Sequence, residues 1–159
     1  MVLRGGVDPP TAAIRTNCRV NWYRRFRSGA YLVGMGVFQR FRAWQACVDL
    51  TREVYRVPAT WPRSERYELT AQLRRAAISA GANLAEGSAK RGAAEFARYL
   101  DIANGSLAET EHLLLLARTL AIATVEEWEV LEARRSAAAC LTQRLYQAVR
   151  KRKSPGAGS

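Results

Sequence analysis

Histidine is nearly absent from this chain: His112 is the one example in 159 residues. A single imidazole cannot by itself assemble a His-based metal site or a nucleophile–His–carboxylate triad, and the place expected for it is the rim of a helix. Cysteine is scarce too, and Cys18, Cys47 and Cys140 are scattered and odd in number, so no disulfide framework is implied. Cys47 and Cys140 fall inside helical patterns and read as small core residues; a reducing cytoplasm is the expected location. No stretch approaches the ~20 apolar residues of a membrane span, so no membrane partner is expected. Phosphate cradles are missing as well, since Gly87 and Gly92 flank a turn with no following Lys-Ser/Thr. Arg24, Arg25 and Arg27 precede an apolar run at 29–38, but that run is short, interrupted by glycine and without a small-residue cleavage site, unlike a signal peptide. Glu109 and Glu111 are two apart and point to different helix faces. Glu126, Glu127 and Glu129 crowd a helix start, where acids complement the dipole. No catalytic constellation, metal site or cofactor is expected, and the chain reads as non-enzymatic.

What the sequence does have is alanine, leucine and arginine. Hydrophobic residues make up 48% of it, and the five prolines lie mostly outside the periodic stretches. That composition in one ordinary-sized domain argues for an all-α fold. The net charge of +11 is concentrated at the ends. Residues 1–34 hold six Arg against Asp8 alone, +5. Residues 144–153 hold Arg144, Arg150, Lys151, Arg152 and Lys153 and no acid, another +5. Between them, 35–100 carries 11 basic and 6 acidic residues (+5), and 101–143 carries 3 and 7 (−4). Residues 1–34 show no sustained period and contain Gly5-Gly6 and Pro9-Pro10, so they read as a disordered or loosely ordered extension, with Met35 as the functional start. The domain expected is 35–153, and 154–159 is expected to be a flexible tail.

Four helices follow from the 3.6-residue period. The first spans Val37 to Val57 and ends at Pro58. Phe41, Trp44, Val48, Thr51 and Tyr55 form its main stripe, and Ala43, Ala46, Leu50 and Val57 a second one opposite. A lone bundle would leave that second stripe wet. The second helix has Ser64 as N-cap and a core stripe of Leu69, Leu73, Ala76, Ala77, Ala80 and Leu84, with Gly87 as the C′ residue that ends it. The third runs from Gly92 to Ala121, with Phe96, Leu100, Ala103, Leu107 and Leu114 on one stripe. Gly105 in its middle costs about 1 kcal/mol relative to Ala, which points to a close helix–helix approach. The fourth opens with a Thr124/Glu127 capping box and runs to Lys153 through Leu131, Ala138, Leu141, Leu145 and Val149. Short connections between long helices predict an up-down-up-down antiparallel four-helix bundle.

Two groups of residues are candidates for function. Arg75, Ser79, Asn83 and Glu86 fall at i, i+4, i+8 and i+11 on the second helix, flanked by alanines, and face Ser106 and Glu109 of the third. The preferred reading is a structural polar network that fixes helix register, with an Arg75–Glu109 pair at its centre; the other is a ligand contact. Arg74, Lys90, Arg91 and Arg98, on exposed positions around the turn between the second and third helices, together with Arg150, Lys151, Arg152 and Lys153, are the candidates for binding an anionic partner.

The runs QLRRAAISAGANLAEG (72–87) and EFARYLDIANGSLAE (95–109), with FRAWQACVDLTREVYRV (41–57) and WPRSERYEL (61–69) before them, resemble the four-helix-bundle proteins encoded in intervening sequences of bacterial 23S rRNA genes. The accessory proteins of diversity-generating retroelements are a related branch. One departure is Asn104, where that family usually carries a basic residue; if that residue touches nucleic acid in relatives, the contact is missing here. The second stripe on the first helix, wet in a lone bundle, predicts a homo-oligomer, and the resemblance supplies five copies as the number. Two readings of function remain. One is a non-enzymatic oligomer that binds RNA or an RNA/DNA hybrid through phosphate, without sequence preference. The other is an oligomeric assembly or adaptor module whose partner is a protein.

Overall fold

In a computed structural model of the chain, residues 36–151 are described. The expectations for residues 1–34, for Met35 and for the 154–159 tail fall outside them. Among the described residues every regular element is helical. Four long helices, α1 (Arg42–Arg56), α2 (Leu69–Ala89), α3 (Ala93–Thr119) and α4 (Val125–Lys151), are joined by short connections, with 3-10 helices at Val37–Arg40, Val57–Thr60 and Arg63–Arg66. Each long helix packs on two others, in the order α1, α2, α3, α4 and back to α1. The contacts fix the directions. Ser79 meets Ser106 while Glu86 meets Tyr99; Thr51 reaches Ala77 while Cys47 lies against Gly81; Asn104 meets Gln143 while Glu111 meets Arg135. In each pair the numbering rises on one helix as it falls on the other, so helices adjacent in sequence run antiparallel.

Two helix starts differ from the periodic pattern. Phe41 is extended (φ −76°, ψ 122°), so the first helix is a 3-10 turn followed by α1 rather than one rod from Val37. Ser64 lies in a 3-10 turn and caps nothing; α2 begins after Glu68, whose φ −106° and ψ −100° are not helical. The expected start of α4 is present: the Thr124 N–H donates to Glu127 (3.0 Å) and the Glu127 N–H to the Thr124 hydroxyl (3.2 Å). Before it, α3 closes in a Schellman motif, in which the Ile122 N–H reaches the Ala117 carbonyl (2.9 Å) and the Ala121 N–H the Arg118 carbonyl (3.1 Å). Ala121 holds the left-handed φ of 54° that the motif requires and that glycine adopts more cheaply.

The core has two connected parts. The larger gathers Leu50 and Val54 from α1, Leu73, Ala76, Ala77 and Ala80 from α2, Leu107 and Leu114 from α3, and Leu131 and Ala138 from α4. The smaller sits at the other end of the bundle, where Ala43, Leu84, Leu100 and Val149 pack with Phe41, Phe96 and Tyr146. Every residue of the α2 stripe read from the sequence is buried.

On α1 the two stripes are reversed. Ala43, Ala46, Leu50 and Val57, which the sequence reading left wet, are buried, whereas Trp44, Val48 and Thr51 are half-buried and Tyr55 is 49% exposed. The small residues win the interior because they let α1 approach its neighbours closely, and the bulky aromatics are displaced to the rim. Two glycines also differ from their expected roles. Gly87 does not end α2, which runs to Ala89; it is buried, and a Cβ there would lie 2.5 Å from Tyr99 Cβ. Gly105 marks no close approach within the chain: it is exposed, and a Cβ there would meet nothing within 4 Å.

Two stability changes of opposite sign are expected in urea unfolding. Ala121→Gly removes the left-handed strain and should stabilise the chain by about 1 kcal/mol. Gly87→Ala forces overpacking worth ~1–3 kcal/mol, more than the ~1 kcal/mol of helix propensity it gains, and should destabilise it.

Candidate nucleic-acid interface

The polar strip on α2 divides into a linked centre and two detached ends. Ser79 Oγ lies 2.9 Å from Ser106 Oγ across the α2–α3 seam. Asn83 Nδ2 donates to the Ser79 carbonyl (2.8 Å) and lies 3.1 Å from the Ser79 hydroxyl. Ser106 Oγ in turn lies 3.2 Å from the Ile102 carbonyl, and Thr110 donates to the Ser106 carbonyl at 2.8 Å. Arg75 does not pair with Glu109. Both are exposed, and Arg75 Nε donates instead to Gln72 at 3.3 Å on its own helix. Glu86 is also at the surface, where it accepts from the Tyr99 hydroxyl (2.8 Å) and from Lys90 (3.2 Å). Tyr99 first and Lys90 second hold its carboxyl below the usual range. The strip is narrow on a helical wheel, but the bundle covers only its middle.

An ion pair that crosses between helices lies elsewhere, and it is half-buried. Arg135 of α4, 12% exposed, bonds Glu132 one turn back (Nε to Oε2, 2.9 Å) and Glu111 of α3 (3.1 Å). Both acids, Glu132 foremost, push its pKa up against the opposing effect of burial. Sequence reading missed this pair because Glu111 and Arg135 are 24 positions apart and only the antiparallel register of α3 and α4 brings them together. Cys47 is a core residue as expected: burial raises its thiol to about 11, with the Thr142 hydroxyl pulling weakly the other way.

The basic candidates separate into two places. Arg74 is half-buried rather than exposed, its guanidinium 4.6 Å from the Tyr55 ring centroid and its Nε buried without a hydrogen-bond partner. It sits sixteen positions before Lys90, about 24 Å along the helix axis, and takes no part in the turn group. Lys90 and Arg98 flank Tyr99, 5.2 Å and 4.7 Å from its ring centroid, and are paired with Glu86 and Glu95. Arg91 is exposed and forms no ion pair among the described residues. Arg150 lies beside Tyr146 (3.4 Å to its hydroxyl), followed by exposed Lys151. Arg152 and Lys153 fall outside the described residues.

The fold brings these segments to one end. Phe41 at the start of α1 stacks against Phe96 beside the α2–α3 turn (5.6 Å between centroids), and Val149 and Tyr146 near the end of α4 join the same small core. The three segments that meet there, 36–45, 82–100 and 141–151, hold eight basic residues and two acids, a charge of +6. At the opposite end the Thr60 hydroxyl lies 2.8 Å from Glu127, joining the α1–α2 connection to the start of α4. The segments 55–70 and 115–132 there hold four basic residues and six acids, −2. Sequence reading did not include Arg40, Arg42 and Arg144 in the basic group; counting back along antiparallel helices from each turn is the signal that finds them.

A second surface feature is a shallow apolar cleft of about 680 Å³ between α1 and α2, lined by Trp44, Val48, Tyr55, Ile78, Ala82 and Ala85 among others. It is built from the aromatic stripe that the bundle leaves outside. Among the described residues no helix is long and apolar enough to cross a membrane.

The family described as 23S rRNA-intervening sequence protein matches residues 39–143. Among solved structures, a protein of unknown function from the S23 ribosomal protein family of Bacteroides thetaiotaomicron superposes with a TM-score of 0.59 at 20% identity, covering 65% of this chain and 97% of that one. At that identity the likeness concerns the fold alone. No curated protein matches the chain.

Double-mutant cycles distinguish the true contact from the apparent one. Ser79→Ala with Ser106→Ala should show a coupling of about 1 kcal/mol, the net worth of one hydrogen bond. Arg75→Ala with Glu109→Ala should be additive, because the two side chains do not meet.

Proposed function

Because the chain belongs to the 23S rRNA-intervening sequence protein family, we propose that it is a non-enzymatic, oligomeric four-helix-bundle protein that binds RNA or an RNA/DNA hybrid through phosphate charge at its basic end. The observation that carries this reading is the gathering of segments from all four helices into one end of charge +6, against −2 at the other. Lys90, Arg91, Arg98, Arg150 and Lys151 sit there, and in the sequence Arg152 and Lys153 follow directly. Lys90 and Arg98 are each matched by an acid, so a single end is a modest binder. Repetition around an oligomer strengthens it, because every engagement after the first is intramolecular; five copies is the number that the family resemblance supplies. Nothing in the basic end resembles a base-edge reader, which fits binding that follows charge and ignores sequence.

The test compares two charge reversals of equal size. Lys90→Glu with Arg91→Glu alters the basic end, and Arg63→Glu with Arg118→Glu alters the opposite end. Mobility shift of a labelled RNA should show a loss of at least tenfold for the first and little change for the second. The parent's log–log salt slope should be steep, about −0.7 for each single-strand phosphate neutralised or −0.9 for each duplex DNA phosphate, and shallower in the first variant. Equal losses in both variants would mean that binding follows net charge alone. Absence of binding by the parent in low salt would leave the adaptor reading, with a protein as partner.

A further inference from the structure

We propose that copies of this chain assemble head to tail, with the outer face of α3 from one copy seated in the α1–α2 cleft of the next. This rests on the oligomeric part of the reading above and is independent of nucleic-acid binding. The cleft is apolar and open, and Tyr55 and Ile78 on its walls are 49% and 45% exposed. Its α2 side is built of Gly81, Ala82 and Ala85, small enough for another helix to come close.

Gly105 identifies the occupant. It lies in the middle of α3, is exposed and would have nothing within 4 Å of a Cβ, so the helix propensity it gives up relative to Ala has no return among the described residues. A glycine at that position permits close approach from outside. Around it on the helical wheel lie Asp101, Ile102, Ala108, Glu109 and His112, all exposed, with Ile102 41% exposed. This face is small and partly apolar, the counterpart of a cleft walled by aromatics.

Charge sets the orientation. The charged residues lining the cleft are Arg52 and Arg56, with Arg74 stacked on Tyr55 beside them. Arg56 is paired with Glu53 and Arg52, more loosely, with Asp49 (3.9 Å), whereas Arg74 has no acidic partner among the described residues. On the α3 face, neither Asp101 nor Glu109 forms an ion pair among the described residues. Two clefts placed face to face would set arginines against arginines, while a cleft against α3 sets them against carboxylates. The two surfaces are separate on each copy, so the contact is heterologous and leaves a free cleft and a free α3 face to continue the assembly.

The experiment uses full-length chains with Ala82→Arg in the cleft or Gly105→Arg on α3, both exposed positions, with circular dichroism confirming unchanged helix content. Sedimentation at micromolar concentration should show an oligomeric parent and a monomer for either variant alone. An equimolar mixture of the two variants should form a heterodimer and nothing larger, because one intact cleft and one intact α3 face remain. A monomeric parent overturns the oligomeric reading and this inference with it. An oligomeric parent that survives either substitution, or a mixture that stays monomeric, overturns this contact while leaving oligomerisation standing.

Discussion

Between α2 and α3 a buried glycine, a serine pair and a run of alanines let two backbones lie against each other, and the position of everything else follows from that seam. Gly87 has no room for a Cβ beside Tyr99, and Ser79 meets Ser106 about two turns further along. Sliding one helix by a residue would separate the serines and drive a side chain into Gly87's place. The register so fixed places Tyr99 where Glu86 and Lys90 can reach it, and it sets the height at which α3 meets α4. Arg135 marks that second junction by joining Glu111 to its own helix.

Antiparallel wiring then turns a weak feature of the sequence into a feature of the molecule. No single segment is basic enough to stand out once the tails are set aside. The start of α1, the α2–α3 turn and the end of α4 are far apart in the chain and meet at one end of the bundle, so their charges add there. The opposite end collects the acids at the start of α4. A bundle polarised in this way carries net charge of opposite sign at its two ends.

The sides of the bundle are as unequal as its ends. Packing small residues inward on α1 gives a dense core and leaves Trp44, Val48 and Tyr55 half outside, as the wall of a cleft. α3 keeps a glycine where the chain itself has no use for one. Polarity along the axis and apolar surface across it therefore fall on different residues.

By itself the sequence determined whatever depends on neighbours within one or two turns. The four helices, the α2 core stripe, the Thr124/Glu127 box and the scarcity of chemistry-bearing residues are all local or compositional, and a 3.6-residue period reports them directly. It also carried the family, through short runs at fixed spacing. Tertiary structure alone decided which of α1's two stripes faces inward, because that choice depends on how closely three other helices approach. It decided as well that Gly87 packs while Gly105 stands open, that Arg75 and Glu109 stay apart while Glu111 and Arg135 meet, and that distant basic segments share one end. Each of these turns on contacts between residues 12 or more positions apart, whose distances are set by register and packing rather than by any pattern within a single helix.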